Sequence, residues 1–203
     1  MNREYDLPSI EALSGGVFAV AMTLLLGTVP VARNAADLGG EPVGQYVLHL
    51  LPQLVSFAIS FFVTGVFWVA HHRLFRYLTG ADLGLVLINF LLLFGIAIQP
   101  LTTGLLGGFP HTRATVVLYA ANLVLIGVAQ FFLWAYAFVD RRLVDPALDA
   151  AVVRAALVSS AVPPVVFLAS IPVSSLDTTA AMLCWILPIP LAFARHVRDR
   201  KPA

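Results

Sequence analysis

The stretch from residue 9 to residue 27, SIEALSGGVFAVAMTLLLG, is almost wholly apolar, and Glu11 is its only charged residue. The apolar run that contains it extends from about Ile10 to Val31. A bilayer core about 30 Å thick is crossed by roughly 20 residues of helix. The stretch is therefore predicted to form a membrane-spanning helix.

Five further apolar runs follow the first one. We place all six at about Ile10 to Val31, Val47 to Val69, Leu83 to Leu106, Thr115 to Val139, Ala150 to Val173 and Thr178 to Ala194. The runs are continuous, whereas the strands of a membrane barrel alternate in hydrophobicity over about ten residues. The sequence predicts an all-α integral membrane protein, a six-helix bundle formed by residues 1–203 as a single domain.

The composition agrees with this class and excludes several others. Apolar residues make up 60% of the 203 residues, charged residues only 11%, and the formal net charge is +1. A nucleic-acid-binding protein, a disordered chain and an ordinary soluble enzyme have more charge or less apolar surface. The one cysteine, Cys184, excludes a disulfide framework. We expect no enzymatic activity, no cofactor, no bound metal and no nucleic-acid partner.

The basic residues predict the orientation in the membrane, because loops on the cytoplasmic side collect lysine and arginine. With six spans, ten of the twelve basic residues fall on the side of the termini, and only Arg33 and Arg113 fall on the other side. We expect both termini in the cytoplasm and the chain in the inner (plasma) membrane. The N-terminal run is not expected to be a cleaved signal peptide, because Glu4, Asp6 and Glu11 oppose Arg3 in front of it.

One face of the first span combines small, apolar and hydroxyl-bearing residues. Gly16, Val20, Thr23, Leu24 and Gly27 share this face at helical spacing. Small residues allow close helix packing, which favours a buried packing face. A pore lining of apolar rings with one hydroxyl has the same pattern, because narrow apolar constrictions gate ions by excluding water. The pattern leaves both interpretations open.

Polar residues inside the other spans are expected to form hydrogen bonds between helices. This group comprises Asn89, Gln99, Asn122 and Gln130. His71 and His72 are adjacent and cannot share a helix face, so they form a poor metal site and are also expected to bond across helices. Prolines in the last two spans, Pro163-Pro164 and Pro188 with Pro190, predict kinks or partly unwound turns.

Two segments resemble a known family. Residues 9–25 are similar to the first helix of the prokaryotic transmembrane protein 175 channels, which are relatives of the lysosomal potassium channel. The end of the second span, Trp68 followed by His71-His72-Arg73-Leu74-Phe75, is similar to the same family. Asn89, Pro100 with Thr102, and Tyr119 agree with it less specifically.

The resemblance implies a potassium channel that is a homotetramer of six-helix subunits in the lipid bilayer, with potassium ions as the permeant species. It implies that the first helix lines the pore, with apolar rings at Val20 and Leu24, Thr23 beside them and Gly27 at the third ring. It also implies a buried polar network, here composed of Ser14, His71, His72 and Asn89.

The chain departs from the family at several of these positions. Ser9 stands where the family has arginine, Leu13 where it has phenylalanine, and Gly15 where it has aspartate. Gly27 replaces a large aliphatic residue. The loss of both charged partners leaves no stranded buried charge, so the fold is expected to survive. The smaller residues predict a wider constriction with weaker preference for potassium over sodium.

Two other functions stay open on the residues alone. A solute transporter would use the proline-containing last two helices, although acidic residues are absent from every span centre and no inverted repeat is visible. A membrane assembly protein that conducts nothing is the other alternative. Uncoupled cation leak in liposomes distinguishes the channel from both.

Overall fold

The computed structural model describes residues 5–141 and 143–186, and this part of the chain consists of helices and connecting loops. The helices are α1 (Leu7–Leu26), α2 (Val43–His49), α3 (Leu51–Phe75), α4 (Leu83–Gly108), α5 (Arg113–Phe138), α6 (Ala150–Val173) and α7 (Thr178–Cys184). Short 3₁₀ turns cover Ala35–Leu38 and Val139–Arg141. The all-α prediction is confirmed for the described residues.

Five of these helices are long and apolar enough to cross a membrane: α1, α3, α4, α5 continued to Arg141, and α6. They correspond to the first five predicted spans. The sixth prediction, Thr178 to Ala194, begins at the residue where α7 begins. Residues 187–194, with Pro188 and Pro190, lie outside the described residues, as do Arg3, Arg142 and the basic segment from Arg195 to Lys201.

The first span was predicted to end too late. Helix α1 is capped at its start by the Asp6 side chain, which accepts a hydrogen bond from the Ser9 amide, and Pro8 occupies its first turn. The helix ends at Leu26 with Gly27 as its C-cap, not at Val31. Pro30 explains the difference, since it has no amide proton and disfavours helical conformation at the residue before it.

The second predicted span is divided in the structure. Helix α2 ends at His49, Leu50 links the two elements, and α3 begins at Leu51 with Pro52 in its first turn. A proline at this position is compatible with a helix start but not with a helix interior. Helix α3 then continues six residues beyond the predicted end at Val69, through both histidines to Phe75.

The proline pair in α6 does not unwind it. The helix is continuous over Ala150–Val173 through Pro163, Pro164 and Pro172, so no turn is unwound there, and the other predicted effect, a kink, stays a prediction. Proline has φ near −65°, which is a helical value, so each ring removes a hydrogen bond without leaving the helical conformation. The Pro164 ring packs directly against Gly127 of α5, and this contact supports the helix where its own bonds are missing.

Helix α5 lies at the centre of the bundle. It packs on α4 along one side and on α6 along another, while α1 packs on both α3 and α4. Its buried apolar side chains include Leu123, Ile126 and Leu133, each with no exposed surface. Tyr119 of α5 also packs on Trp185 just after α7, with ring centroids 4.6 Å apart, which fixes the last described turn to the bundle.

One end of the bundle gathers three connections. Tyr5, just before α1, forms an isolated antiparallel bridge with Ala81 in the α3–α4 connection. In the same connection, Leu78 bridges to Val144, and the Thr79 amide donates to the Leu143 carbonyl at 2.8 Å. The segment before α1 is thereby attached to the α3–α4 connection, which is itself bonded to the segment that follows α5.

The contact between Gly127 and Pro164 yields a stability prediction. A Cβ atom on Gly127 would lie 2.9 Å from Cδ and 3.0 Å from the backbone nitrogen of Pro164. Since a ring and a backbone atom cannot move aside, we expect Gly127→Val to cost roughly 1–3 kcal/mol and to lower the melting temperature in detergent. Gly108→Val is the matched control, because no atom lies within 4 Å of its Cβ position. Equal melting temperatures for the two variants would contradict the close packing.

Candidate pore-lining helix and its polar contacts

Helix α1 has one buried and one open face. Its buried side chains, Ser14, Phe18, Ala21 and Leu25, lie at helical spacing and face α3 and α4. Outside this face, Val20 is 59% and Leu24 is 55% exposed. The described residues therefore leave more than half of each of these two large apolar side chains uncovered.

The other residues predicted for the pore face are open as well. Gly16, Thr23 and Gly27 are all exposed. The Thr23 hydroxyl donates its proton to the Ala19 carbonyl at 2.9 Å. Because the hydroxyl proton is engaged in this hydrogen bond, only the oxygen lone pairs remain on the side away from the helix. Lone pairs can accept a hydrogen bond from water or coordinate a cation.

Gly27 is the C-cap of α1, so it is the last residue on the exposed face of this helix. Its amide donates to the Leu24 carbonyl at 3.0 Å, which closes the last turn. The next residue, Thr28, donates its hydroxyl to the Leu25 carbonyl at 2.7 Å. At Gly27 the open face therefore consists of backbone alone, with no side chain to form a third ring.

Behind the open face, a chain of hydrogen bonds joins α3, α4 and α1. The His71 Nε2–H donates to Asn89 Oδ1 at 2.9 Å, and Asn89 Nδ2 donates to the Ser14 hydroxyl at 3.0 Å. The Ser14 hydroxyl in turn donates a hydrogen bond to the Ile10 carbonyl at 2.8 Å. All three side chains are buried, so this polar junction (Ser14, His71 and Asn89) fixes the rotation of α1 about its axis.

His72 does not take part in the polar junction. It points to the other side of α3, where its Nδ1 lies 3.0 Å from Glu11 Oε1, and both side chains are about half exposed. Trp68 stacks on the His72 ring with centroids 5.6 Å apart. The structure thus brings together three of the four residues predicted for the network and pairs the fourth with Glu11 of α1.

The positions that lost the family's charged residues are used differently here. Ser9 lies in the first turn of α1 and donates its hydroxyl proton to Oδ2 of the capping residue Asp6 at 2.7 Å. Gly15 lies beside open space, with no atom within 4 Å of a Cβ built on it. Neither position leaves a buried charge unpaired.

A second buried polar cluster lies nearer the other end of the bundle. Thr103 donates to the Ser60 hydroxyl at 2.8 Å, and Ser60 lies 2.9 Å from the Tyr119 hydroxyl. One turn away, Asn122 donates to Gln99 Oε1 at 2.7 Å. Sequence reasoning expected Gln99 and Asn122 to bond but did not single out Ser60 and Thr103. The spacing of Ser56, Ser60 and Thr64 along one face of α3 was the signal available.

Gln130 differs from this expectation. It is buried in α5, but neither atom of its amide has a hydrogen-bond partner within the described residues. The predicted hydrogen bond from Gln130 to another helix is not formed within the described residues.

The described residues contain no group of three side chains that could hold a metal ion. What they present is a set of apolar helices with apolar side chains on their outer faces, and an interior in which many polar groups are hydrogen-bonded whereas Gln130 is not. This arrangement is that of a multi-span membrane protein.

Similarity to known proteins identifies the family to which this chain belongs. The family described as Endosomal/lysosomal potassium channel TMEM175 matches residues 9–100. A potassium channel of Streptomyces collinus is 36% identical over 154 residues, 72% of this chain and 71% of the relative. A potassium channel of Chamaesiphon minutus is 34% identical over 145 residues, 69% of this chain and 70% of the relative.

A solved structure agrees over almost the whole chain. The crystal structure of a lysosomal potassium-selective channel TMEM175 homolog from Chamaesiphon minutus superposes with a TM-score of 0.80 at 27% identity. The match covers 96% of this chain and 98% of that one. The chain belongs to the TMEM175 family and is similar to its prokaryotic members, so it is a multi-pass membrane protein. The resemblance inferred from residues 9–25 and 68–75 is confirmed.

Proposed function

We propose that this chain is the subunit of a homotetrameric potassium channel of the passive leak type. Four copies, each one six-span unit with both termini in the cytoplasm, surround an axis in the plasma membrane, and α1 of each copy lines that axis. The family and the potassium channels among its relatives support the activity. The exposed Val20 and Leu24, outside the buried face of α1, support the position of the pore.

The proposed constriction consists of two stacked apolar rings. Val20 and Leu24 are one helical turn apart, about 6 Å along the axis, so four copies of each form successive rings. A narrow apolar ring excludes water and raises the barrier for a hydrated cation. The polar junction behind α1 keeps these side chains turned to the axis, because rotation of α1 would pull Ser14 away from Asn89.

Selectivity would rest on Thr23 and on pore width. The Thr23 oxygen offers lone pairs between the two rings, and Gly27 leaves the wider end of the pore without a side chain. No acidic ring assists cation entry from the open face of α1. We therefore expect potassium to permeate with only moderate preference over sodium.

The transporter alternative loses the part of its support that a broken α6 would have given, because α6 is continuous and broken helices are what form transporter binding sites. The other alternative, a membrane assembly protein that conducts nothing, is distinguished by the following experiment. Liposomes that contain the protein and a potassium gradient distinguish the three, because a channel gives uncoupled leak, a transporter needs its substrate, and an assembly protein gives no flux.

For Thr23→Val we expect potassium flux to continue while the ratio of potassium to sodium flux falls severalfold. Valine keeps the shape and removes the oxygen that the proposal assigns to the ion. Ser175→Ala, which removes an exposed hydroxyl far from α1 that bonds the Pro172 carbonyl, is the control. An unchanged ratio in an intact oligomer would remove Thr23 from the ion path.

A further inference from the structure

Two buried polar groups where α3 packs on α4 have no hydrogen-bond partner within the described residues. They are the Thr64 hydroxyl of α3 and the Nε2 nitrogen of Gln99 of α4. Thr64 is 1% exposed and Gln99 is 0% exposed. A buried polar group without a partner destabilises a fold, and native proteins satisfy nearly all such groups, in part with ordered water. Two of them in one helix contact therefore require a physical explanation.

The two groups lie at the same level of the bundle. Helices α3 and α4 follow each other through a short connection and run antiparallel. The Thr103 hydroxyl of α4 bonds the Ser60 hydroxyl of α3 at 2.8 Å, which fixes one level in both helices. Thr64 is four residues after Ser60, and Gln99 is four residues before Thr103. Both therefore lie about 6 Å from that level, in the same direction.

The two groups also lie on the faces through which α3 and α4 meet. On α3, Ser60 and His71 both bond to α4, and Thr64 lies between them at helical spacing. On α4, Gln99 lies between the two residues that Ser60 and His71 bond. The Thr64 hydroxyl and the Gln99 amide are thus placed between two established contacts of the same pair of helices.

The orientation of the Gln99 amide follows from its neighbours. The Asn122 Nδ2 nitrogen donates to the Gly95 carbonyl at 3.1 Å and to Gln99 Oε1 at 2.7 Å. Because a carbonyl only accepts, the Asn122 atom next to Gly95 is the nitrogen, and the Gln99 atom next to Asn122 is the oxygen. Nε2 therefore faces the other way and needs an acceptor there.

The Tyr119 hydroxyl of α5 forms a third side of this place. It lies 2.9 Å from the Ser60 hydroxyl and beside the Gln99 side chain, at a distance or angle that makes no hydrogen bond from Nε2. The amide nitrogen only donates, whereas the hydroxyls of Thr64 and Tyr119 donate and accept. No charged side chain belongs to this cluster, so an ion would lose its hydration without compensation. A neutral molecule that accepts and donates fits all three groups.

We propose that Thr64, Gln99 and Tyr119 hold one buried water molecule between α3, α4 and α5. The water accepts a hydrogen bond from Gln99 Nε2 and bonds the two hydroxyls. Buried waters typically make about three hydrogen bonds to groups that have no other partner. The water joins three helices at a second level, apart from the polar junction. The site belongs to a single protomer, so it does not depend on the proposed tetramer or on conduction.

The first test is a double-mutant cycle on the melting temperature of the full chain in detergent. Thr64→Val keeps the shape and removes the hydroxyl, so we expect a melting temperature lower by about 2–4 °C. An unchanged or higher value would overturn the proposal, because a hydroxyl without a partner costs nothing to remove. In combination with Gln99→Leu, the loss should be smaller than the sum of the two single losses, since either change already removes the water. Additive losses would also overturn the proposal.

Ser56→Ala combined with Gln99→Leu is the matched control for the cycle. Ser56 lies two turns before Thr64 on the same face of α3, but its hydroxyl donates to the Pro52 carbonyl at 2.9 Å, so its loss should add to that of Gln99→Leu. A crystal structure then separates a water from a direct bond. We expect a density peak about 2.7–3.2 Å from both Thr64 Oγ1 and Gln99 Nε2, absent in Thr64→Val. A direct bond between Thr64 and Gln99, or no peak, would overturn the proposal.

Discussion

Replacement of Leu24 by alanine is expected to raise potassium flux in liposomes roughly tenfold, which corresponds to a barrier lower by about 1.4 kcal/mol. Leu24 is 55% exposed, outside the buried face of α1. Alanine would widen the proposed ring and make it easier for water to enter. A wider, wetter ring also passes sodium more readily, so the ratio of potassium to sodium flux should fall.

Leu168→Ala is the control for this experiment. Leu168 is 58% exposed, nearly the same as Leu24, but lies on α6 beside the apolar groove between α5 and α6. The truncation is the same, and we expect no change in flux. The packing interpretation of α1 makes a different prediction, since Leu24→Ala would then weaken the oligomer and leave the permeation of intact oligomers unchanged.

The second large effect is expected at the polar junction. Asn89→Leu removes both the acceptor of the His71 Nε2–H and the donor to Ser14, and it leaves the buried imidazole without its partner. An unsatisfied buried group costs about 1–3 kcal/mol in addition to the lost bond. We expect unfolding in detergent at a temperature lower by several degrees, and a smaller loss for Ser14→Ala, which strands only one amide proton.

Gln130→Leu is the matched control for Asn89→Leu. Both amides are 2% exposed inside the bundle, but Gln130 has no hydrogen-bond partner in the described part of the chain. Its replacement should leave the melting temperature unchanged or raise it, because no bond is lost. Equal destabilisation by the two variants would show that volume rather than hydrogen bonding decides, and would contradict the role of the junction.

The helices were predictable where hydrophobic length alone decides them. The bounds of α6, Ala150–Val173, were predicted to the residue, and α4 and α5 within two residues at either end. Two of the boundary errors fall at proline, and a third is the end of α3, which lies six residues beyond the predicted Val69. Pro30 ended α1 early and Pro52 divided the second span, whereas Pro163 and Pro164 left α6 intact. The effect of a proline depends on what packs against it, which a hydropathy pattern does not contain.

The same limit applies to the polar residues. A polar side chain in an apolar run predicts a hydrogen bond but not its partner, since the partner depends on helix rotation and register. His71 forms a hydrogen bond with Asn89, whereas His72 pairs with Glu11. Gln130 has no hydrogen-bond partner in the described part of the chain. The faces of α1 were predictable from helical spacing, because Val20, Thr23 and Leu24 fall on one side in any straight helix.

The most direct measurement of the central claim is thiol modification of a cysteine at the proposed constriction. In a Cys184→Ala background, potassium current through Val20→Cys channels in a planar bilayer is recorded while a charged, membrane-impermeant thiol reagent is applied. Phe132→Cys, 55% exposed on α5, is the control. If α1 lines the pore, the reagent blocks the Val20→Cys current and leaves the control unchanged. A Val20→Cys current that persists through complete modification, verified by mass, would contradict the account.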